Sequence, residues 1–204
     1  MPSNPPGDAR RSAPAADRNK GPILDVLARV LPATGDVCEI ASGTGQHVVH
    51  FAAALPRLTW HPTEPDARLR ASIAGWIAYT GLANVRPPLD LDVGEEWPVA
   101  RADAILCINM IHIAPWAATL HLLQGASRVL ASDGVLYLYG PYRRFGAHTA
   151  PSNEAFDADL RATNPEWGVR DMEAVVDVAA EYGFAVAEIV PMPANNFSLV
   201  LRRI

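Results

Sequence analysis

The sequence is short of several features that would direct it elsewhere. It holds two cysteines, Cys38 and Cys107, both inside apolar runs. Neither has a partner at metal-binding spacing, so no zinc site and no disulfide framework is expected, and both read as small core residues in a reducing cytoplasm. No apolar run approaches the roughly 20 residues that a bilayer crossing needs, so no membrane association is expected. Basic residues are scattered, with the densest spots at Arg10-Arg11, Arg143-Arg144 and Arg202-Arg203, and the formal net charge is −5. A protein that grips a long phosphate backbone needs a basic stripe. A small-molecule partner is therefore expected and a long nucleic acid is not. Met1–Asp17 contains Pro2, Pro5, Pro6 and Pro14 but no apolar stretch. It does not read as a secretory signal, and is expected to be a disordered leader before a single domain over 18–204.

What is present is a globular composition, 50% hydrophobic in 204 residues, enough for one domain with a sizeable core. Helix-like and strand-like segments alternate. Pro22–Leu31 has helical spacing with proline at its start, and Asp36–Ala41 is a short strand. Gly45–Leu55 is a helix stopped by Pro56, and Leu58–Glu64 a second strand. Asp66 caps a helix that Gly81 ends. Asn84–Val93 is a weak third strand broken by Pro87-Pro88. Ala102–Asn109 is nearly continuous in apolar residues, as suits a parallel strand covered on both faces. A helix over Trp116–Leu130 precedes a fifth strand, Val135–Tyr139. Helices over Pro151–Arg161 and Asp171–Tyr182 lead to two closing strands, Phe184–Val190 and Phe197–Arg202. Alternation predicts a doubly wound, mostly parallel sheet, and the close final pair an antiparallel hairpin.

The most informative segment is Glu39-Ile40-Ala41-Ser42-Gly43-Thr44-Gly45, which leaves a strand and opens a helix. Glycine lets backbone pass close to a ligand, and the helix start offers free N–H groups. A dinucleotide enzyme would carry G-x-G-x-x-G. With Gly43 and Gly45 as the first two glycines, the third place is Val48, which weighs against a nicotinamide-dependent oxidoreductase. The spacing A-x-G-x-G behind an acid resembles instead the first motif of class I methyltransferases, with Ala41 where the first glycine is usual. That resemblance implies that Ala41, Ser42, Gly43 and Gly45 wrap the amino-acid half of S-adenosyl-L-methionine and that Glu39 helps hold its ammonium. It gives Glu64, at the end of the next strand, the two ribose hydroxyls; a solvated acid at a strand end is the plain alternative. It puts Leu91 and Asp92 beside adenine, with Asp90 as a competitor and an idle polar loop as the alternative.

A longer series of strings appears in order: Arg18-Asn19-Lys20, Glu39–His47, Asn109–Trp116, Tyr139–Arg143, Ser152–Asp157, Trp167–Asp171 and Pro193–Phe197. Together they resemble the methyltransferase-like protein 26 family, over about Asp17 to Arg203. The resemblance implies an α/β, Rossmann-like class I methyltransferase fold: a seven-stranded, mostly parallel sheet with an antiparallel C-terminal hairpin and helices on both faces. It implies S-adenosyl-L-methionine as cofactor, and no particular acceptor.

Ligands of open α/β sheets bind beyond the carboxyl ends of the strands, which puts Asn109-Met110-Ile111-His112 at the site. Asn109 is a candidate for the cofactor's polar groups and Met110 for packing on adenine. His112 either takes a proton from the acceptor or is a structural histidine that bonds a backbone carbonyl or packs with Trp116. Tyr142 is a candidate for orienting substrate and Arg143 for pairing with its carboxylate or phosphate. Arg144 is more readily bonded to the domain itself. Trp116 either lines an acceptor pocket or belongs to the core. Arg18 or Asn19 is placed to meet the methionine carboxylate, with helix capping as the alternative for Asn19. Asn195 and Asn196 read as turn formers. The expected activity is methyl transfer to a small molecule. A cofactor-binding sensor or scaffold without transfer is the alternative.

Overall fold

A computed structural model of the chain describes residues 9–204. Helix α1 (Pro14–Val30) precedes strand β1 (Gly35–Ile40), helix α2 (Gln46–Ala54), strand β2 (Leu58–Pro62) and helix α3 (Ala67–Thr80). Strand β3 (Ala102–Ile108), helix α4 (Trp116–Val129) and strand β4 (Leu130–Pro141) follow. A two-residue ribbon pairs β5 (Arg143–Arg144) with β6 (Ala147–His148). Helices α5 (Pro151–Thr163) and α6 (Met172–Glu181) then lead to β7 (Phe184–Met192) and β8 (Asn196–Arg203).

Six strands form one sheet in the order β2-β1-β3-β4-β8-β7. The first four are parallel, while β8 runs antiparallel to β4 and β7. The chain enters at β1, steps outward to β2, then crosses to β3 on the other side. This reversal opens a crevice beyond the carboxyl ends of β1 and β3, where such sheets take ligands.

Strand period decides the layers. Along β3, Ala104, Leu106 and Ile108 face one core with Ile23, Leu27, Val48, Phe51 and Ile73 of the first three helices. Ile105 and Cys107 face the other, with Leu122, Leu123 and Ala126 of α4 and Val175 and Ala179 of α6. Both cysteines are free and buried, and among the described residues no helix is long and apolar enough to cross a membrane.

Three expectations need correction. The sheet has six strands rather than seven. Val85 and Leu89 make only isolated parallel bridges to Trp60 and Thr63. Arg86 donates to the Trp60 carbonyl at 2.8 Å and Leu89 to the Pro62 carbonyl at 3.0 Å, but Pro87 and Pro88 between them have no N–H to continue the ladder. The first helix starts at Pro14, with Pro22 inside it. Pro22 cannot donate to the carbonyl one turn back, yet burial of Ala16, Ile23 and Val26 on one face holds the helix through it. The leader is the third case. Residues 1–8 lie outside the described residues, but 9–17 are docked. Arg11 donates its N–H to Ser72 Oγ at 2.8 Å and accepts from Trp76 Nε1 at 2.9 Å. Arg10 stacks its guanidinium 3.7 Å from the Tyr79 ring, a cation–π contact.

Candidate functional site

The turn leaving β1 is built from left-handed backbone. Ala41, Gly43 and Gly45 have φ of 53°, 57° and 89°, a region costly to residues with a Cβ. A Cβ on Gly45 would lie 2.9 Å from Ile73 Cα, so α3 packs directly on the turn. A Cβ on Gly43 would meet nothing within 4 Å, because that side of the turn is open.

It opens on a cavity of about 610 Å³, lined by Ala41, Gly43, Glu64, Leu69, Leu91, Asp92, Ile108, Met110 and Ile113 among others. This is within the range of small-molecule sites, and its walls are mostly apolar with a few polar groups. Glu64 is 6% exposed. Its Oε2 accepts from Gly43 N–H at 2.9 Å and its Oε1 from Asp66 N–H at 3.2 Å. Burial raises its pKa, against the pull of those two N–H groups. Each oxygen keeps a lone pair for a further donor. Asp92, which also lines the cavity, accepts at Oδ1 from Gly94 N–H at 2.9 Å.

Glu39 is buried behind the turn, and its Oε2 has no hydrogen-bond partner. Burial pushes its pKa up to about 8 against a hydrogen bond from the Ser42 side chain, and the nearby Glu64 carboxylate adds to the rise. A buried acid with one oxygen left unpartnered invites a cation. The arrangement therefore fits S-adenosyl-L-methionine on its own terms: an apolar slot, an open glycine turn, a carboxylate just beyond β2 and a second, buried carboxyl behind the turn with one oxygen unpartnered.

The segment Asn109–Ile113 divides this cavity from a second one. Met110 lines the first, Asn109 the second, and Ile113 both. Asn109 takes φ 64° and donates its N–H to the Tyr139 carbonyl at 2.8 Å. Arg170 fastens the segment from outside. Its Nε donates to the Ile111 carbonyl at 2.9 Å, a second guanidinium nitrogen donates to the Ala114 carbonyl, and its backbone N–H reaches His112 Nδ1 at 3.2 Å. The sequence offers no local signal for this clamp, since 56 residues separate Arg170 from Ala114.

The predicted residues divide accordingly. Ala41, Gly43, Glu64, Leu91, Asp92 and Met110 share the first cavity, with Ser42, Gly45 and Glu39 packed behind it. Arg18, Asn19 and Asn109 fall on the second cavity instead. Asn19 does not cap α1, which begins earlier; its Oδ1 bonds His47 Nε2 at 2.7 Å.

His112 and Tyr142 are corrections. Both are fully buried, line neither cavity, and pack edge to face with ring centroids 4.9 Å apart. Burial, assisted by the Arg170 charge, drives the His112 pKa down to about 3. In this structure neither side chain reaches the space where an acceptor would sit, and both pack beneath the dividing segment. Trp116 is partly buried against the core, with the Arg170 guanidinium 5.7 Å from its ring. Arg143 joins the segment before α6 through its backbone, donating N–H to the Arg170 carbonyl at 2.9 Å. Neither lines a cavity. Arg144 bonds Glu173 at 2.7 Å and so belongs to the domain, as expected.

Tyr139, Asn153, Phe156 and Asn196 line the second cavity and were not singled out from sequence as ligand-facing. They come from β4, α5 and the start of β8, which only tertiary packing brings together. Asn196 is also the turn former it resembles, donating to the Pro193 carbonyl at 3.0 Å.

The fold is that of α/β methyltransferases. An O-methyltransferase family protein from Burkholderia thailandensis superposes with a TM-score of 0.81, at 16% identity over 93% of this chain and 57% of its own. The mitomycin 7-O-methyltransferase MmcR gives 0.79 at 17%, over 93% and 55%. Human N-acetylserotonin methyltransferase in complex with SAM gives 0.76 at 12%, over 93% and 52%. This chain spans little more than half of each. Within that fold, residues 10–203 match the model of a family described as "Protein of unknown function (DUF938)", and the chain belongs to that family.

Proposed function

We propose that this chain transfers a methyl group from S-adenosyl-L-methionine to a small molecule. The observation that carries the proposal is the buried Glu39 carboxyl, with one oxygen unpartnered, behind an open glycine turn whose Gly43 N–H is held by Glu64. In this reading the turn from Ala41 to Gly45 passes under the amino-acid half of the cofactor, with Glu39 as its counter-charge. Glu64 takes the ribose hydroxyls, and Leu91, Asp92 and Met110 surround adenine. The bound cofactor supplies an electrophilic methyl group, so the chain's own task is to orient the acceptor and exclude water.

Several similar structures carry small-molecule names, among them the mitomycin and N-acetylserotonin enzymes, and this supports an acceptor of that size. The narrower kinship with the methyltransferase-like protein 26 family and a cytoplasmic setting belong to the same proposal. A sensor that binds the cofactor without using it is favoured by one observation, the burial of His112 away from both cavities. Incubation with methyl-labelled cofactor and a metabolite extract separates the two. Transfer predicts label in a small-molecule product that depends on the protein. A sensor predicts cofactor binding and no labelled product.

A further inference from the structure

The second cavity has a volume of about 480 Å³ and meets the first at Ile113. Two of its walls are large apolar side chains left open to solvent, Ile113 at 45% and Phe156 at 41%. Its polar lining is mostly carboxamide, from Asn19, Asn109, Asn153 and Asn196. Such a surface suits an apolar body whose polar atoms are read by neutral hydrogen bonds.

Its charge is one-sided. Arg18 is the single charged residue of the lining, which contains no Asp, Glu, Lys or His. Among the described residues no carboxylate pairs with Arg18, and the neighbouring Asp17 is engaged by Lys20 at 2.7 Å. Arg18 is exposed at the rim, so the one formal charge the cavity presents to an entering ligand is positive, which favours an anion.

It also lacks a proton acceptor. Burial raises the Tyr139 phenol, against a hydrogen bond with Asn19, so that group holds its proton. His112 is sealed beneath the dividing segment. An unactivated alcohol, with a pKa near that of water at about 15.7, would need a base that this cavity does not offer. An acceptor that ionises unaided would not.

This inference rests on the methyl-transfer reading. We propose that the second cavity takes the methyl acceptor, and that the acceptor is an apolar small molecule bearing an acidic phenol or enol, bound as its anion in the field of Arg18. The oxygen lone pair of that anion forms the new O–C bond while the C–S electron pair returns to sulfur. The acceptor's negative charge and the donor's positive charge cancel, and no proton moves in the step.

The test compares two probes of similar shape on protein saturated with S-adenosylhomocysteine: 4-nitrophenol, which turns yellow on ionising, and 4-nitrobenzyl alcohol, which does not ionise. The expected result is that nitrophenol binds as its phenolate, with its absorbance titration moved to lower pH, and at least about tenfold more tightly than the alcohol. Arg18→Gln should abolish the shift and weaken phenolate binding about tenfold, as expected for one lost charge-assisted contact. Arg18→Lys should restore part of it, and both variants should keep wild-type affinity for S-adenosylhomocysteine and wild-type melting. Equal or absent binding of the probes, or an Arg18→Gln variant that still binds phenolate normally, overturns the assignment. So does weakened S-adenosylhomocysteine binding in Arg18→Gln, which would give Arg18 to the cofactor's carboxylate. If S-adenosylhomocysteine does not bind the wild type at all, the methyl-transfer reading itself fails, and the proposal with it.

Discussion

Gly43 donates its backbone N–H to the Glu64 carboxylate at 2.9 Å. The bond ties the turn after β1 to the end of β2, so two segments 21 residues apart in sequence stand at one cavity before any ligand enters it. Such preorganisation lowers the ordering cost of binding.

The turn's backbone makes opposite demands at its two ends. Gly45→Ala places a methyl group 2.9 Å from Ile73 Cα at a φ of 89°. It should cost about 2 kcal/mol or more in urea unfolding. Ala41→Gly relieves a φ of 53° and should stabilise by about 0.5–1 kcal/mol, after the greater freedom that glycine gives the unfolded chain. Equal stabilities for all three proteins would contradict the strained turn.

Acid should unfold the protein partly through His112, whose pKa falls from 6.5 to about 3 on burial. Above pH 6.5 both states leave it neutral. Below that the unfolded chain binds a proton that the folded chain refuses, so stability is complete above 6.5 and is lost progressively towards pH 3. His47, lowered to about 4, acts in the same direction. Urea midpoints for His112→Phe between pH 7 and 4 should fall less steeply than those of the wild type. An unchanged slope would mean that His112 is not held neutral.

Glu39 predicts a proton linkage of binding. With a pKa of about 8 it is mostly protonated at neutral pH. A cofactor ammonium beside it would favour the carboxylate, releasing up to about one proton per site. Calorimetry at pH 7 in buffers of different ionisation enthalpy should give heats that track the buffer, and Glu39→Gln should remove the trend. Buffer-independent heats in the wild type would place the cation elsewhere.

How much of this was legible in the sequence depends on what holds each part in place. Of the predicted cofactor residues, Ala41, Gly43, Glu64 and Met110 line the first cavity because each follows closely on the end of β1, β2 or β3, while Leu91 and Asp92 reach it from an irregular segment. The alternation of elements shows the sheet for the same reason. The third strand misled because its apolar residues are correct and only Pro87-Pro88 decide whether a ladder forms. Local pattern also failed at Pro22, which reads as a helix start until the burial of Ala16 is seen. His112 lies in a polar string beyond β3, and nothing local foretells that Gly140, Tyr142 and Arg170 close over it. The second cavity was least legible, since Arg18, Asn153 and Asn196 meet only when α1, α5 and the β7–β8 turn pack together.

The most direct measurement is the affinity of S-adenosylhomocysteine for the wild type and for Glu64→Gln, by calorimetry on folded protein. Glu64→Gln keeps the shape but loses the charge that strengthens hydrogen bonds from sugar hydroxyls, so it should bind about tenfold or more weakly. Saturable one-to-one binding that falls in this variant is the predicted result. Wild-type protein that melts cooperatively yet gives no binding heat or thermal shift, or a variant that binds as tightly as the wild type, would contradict the account.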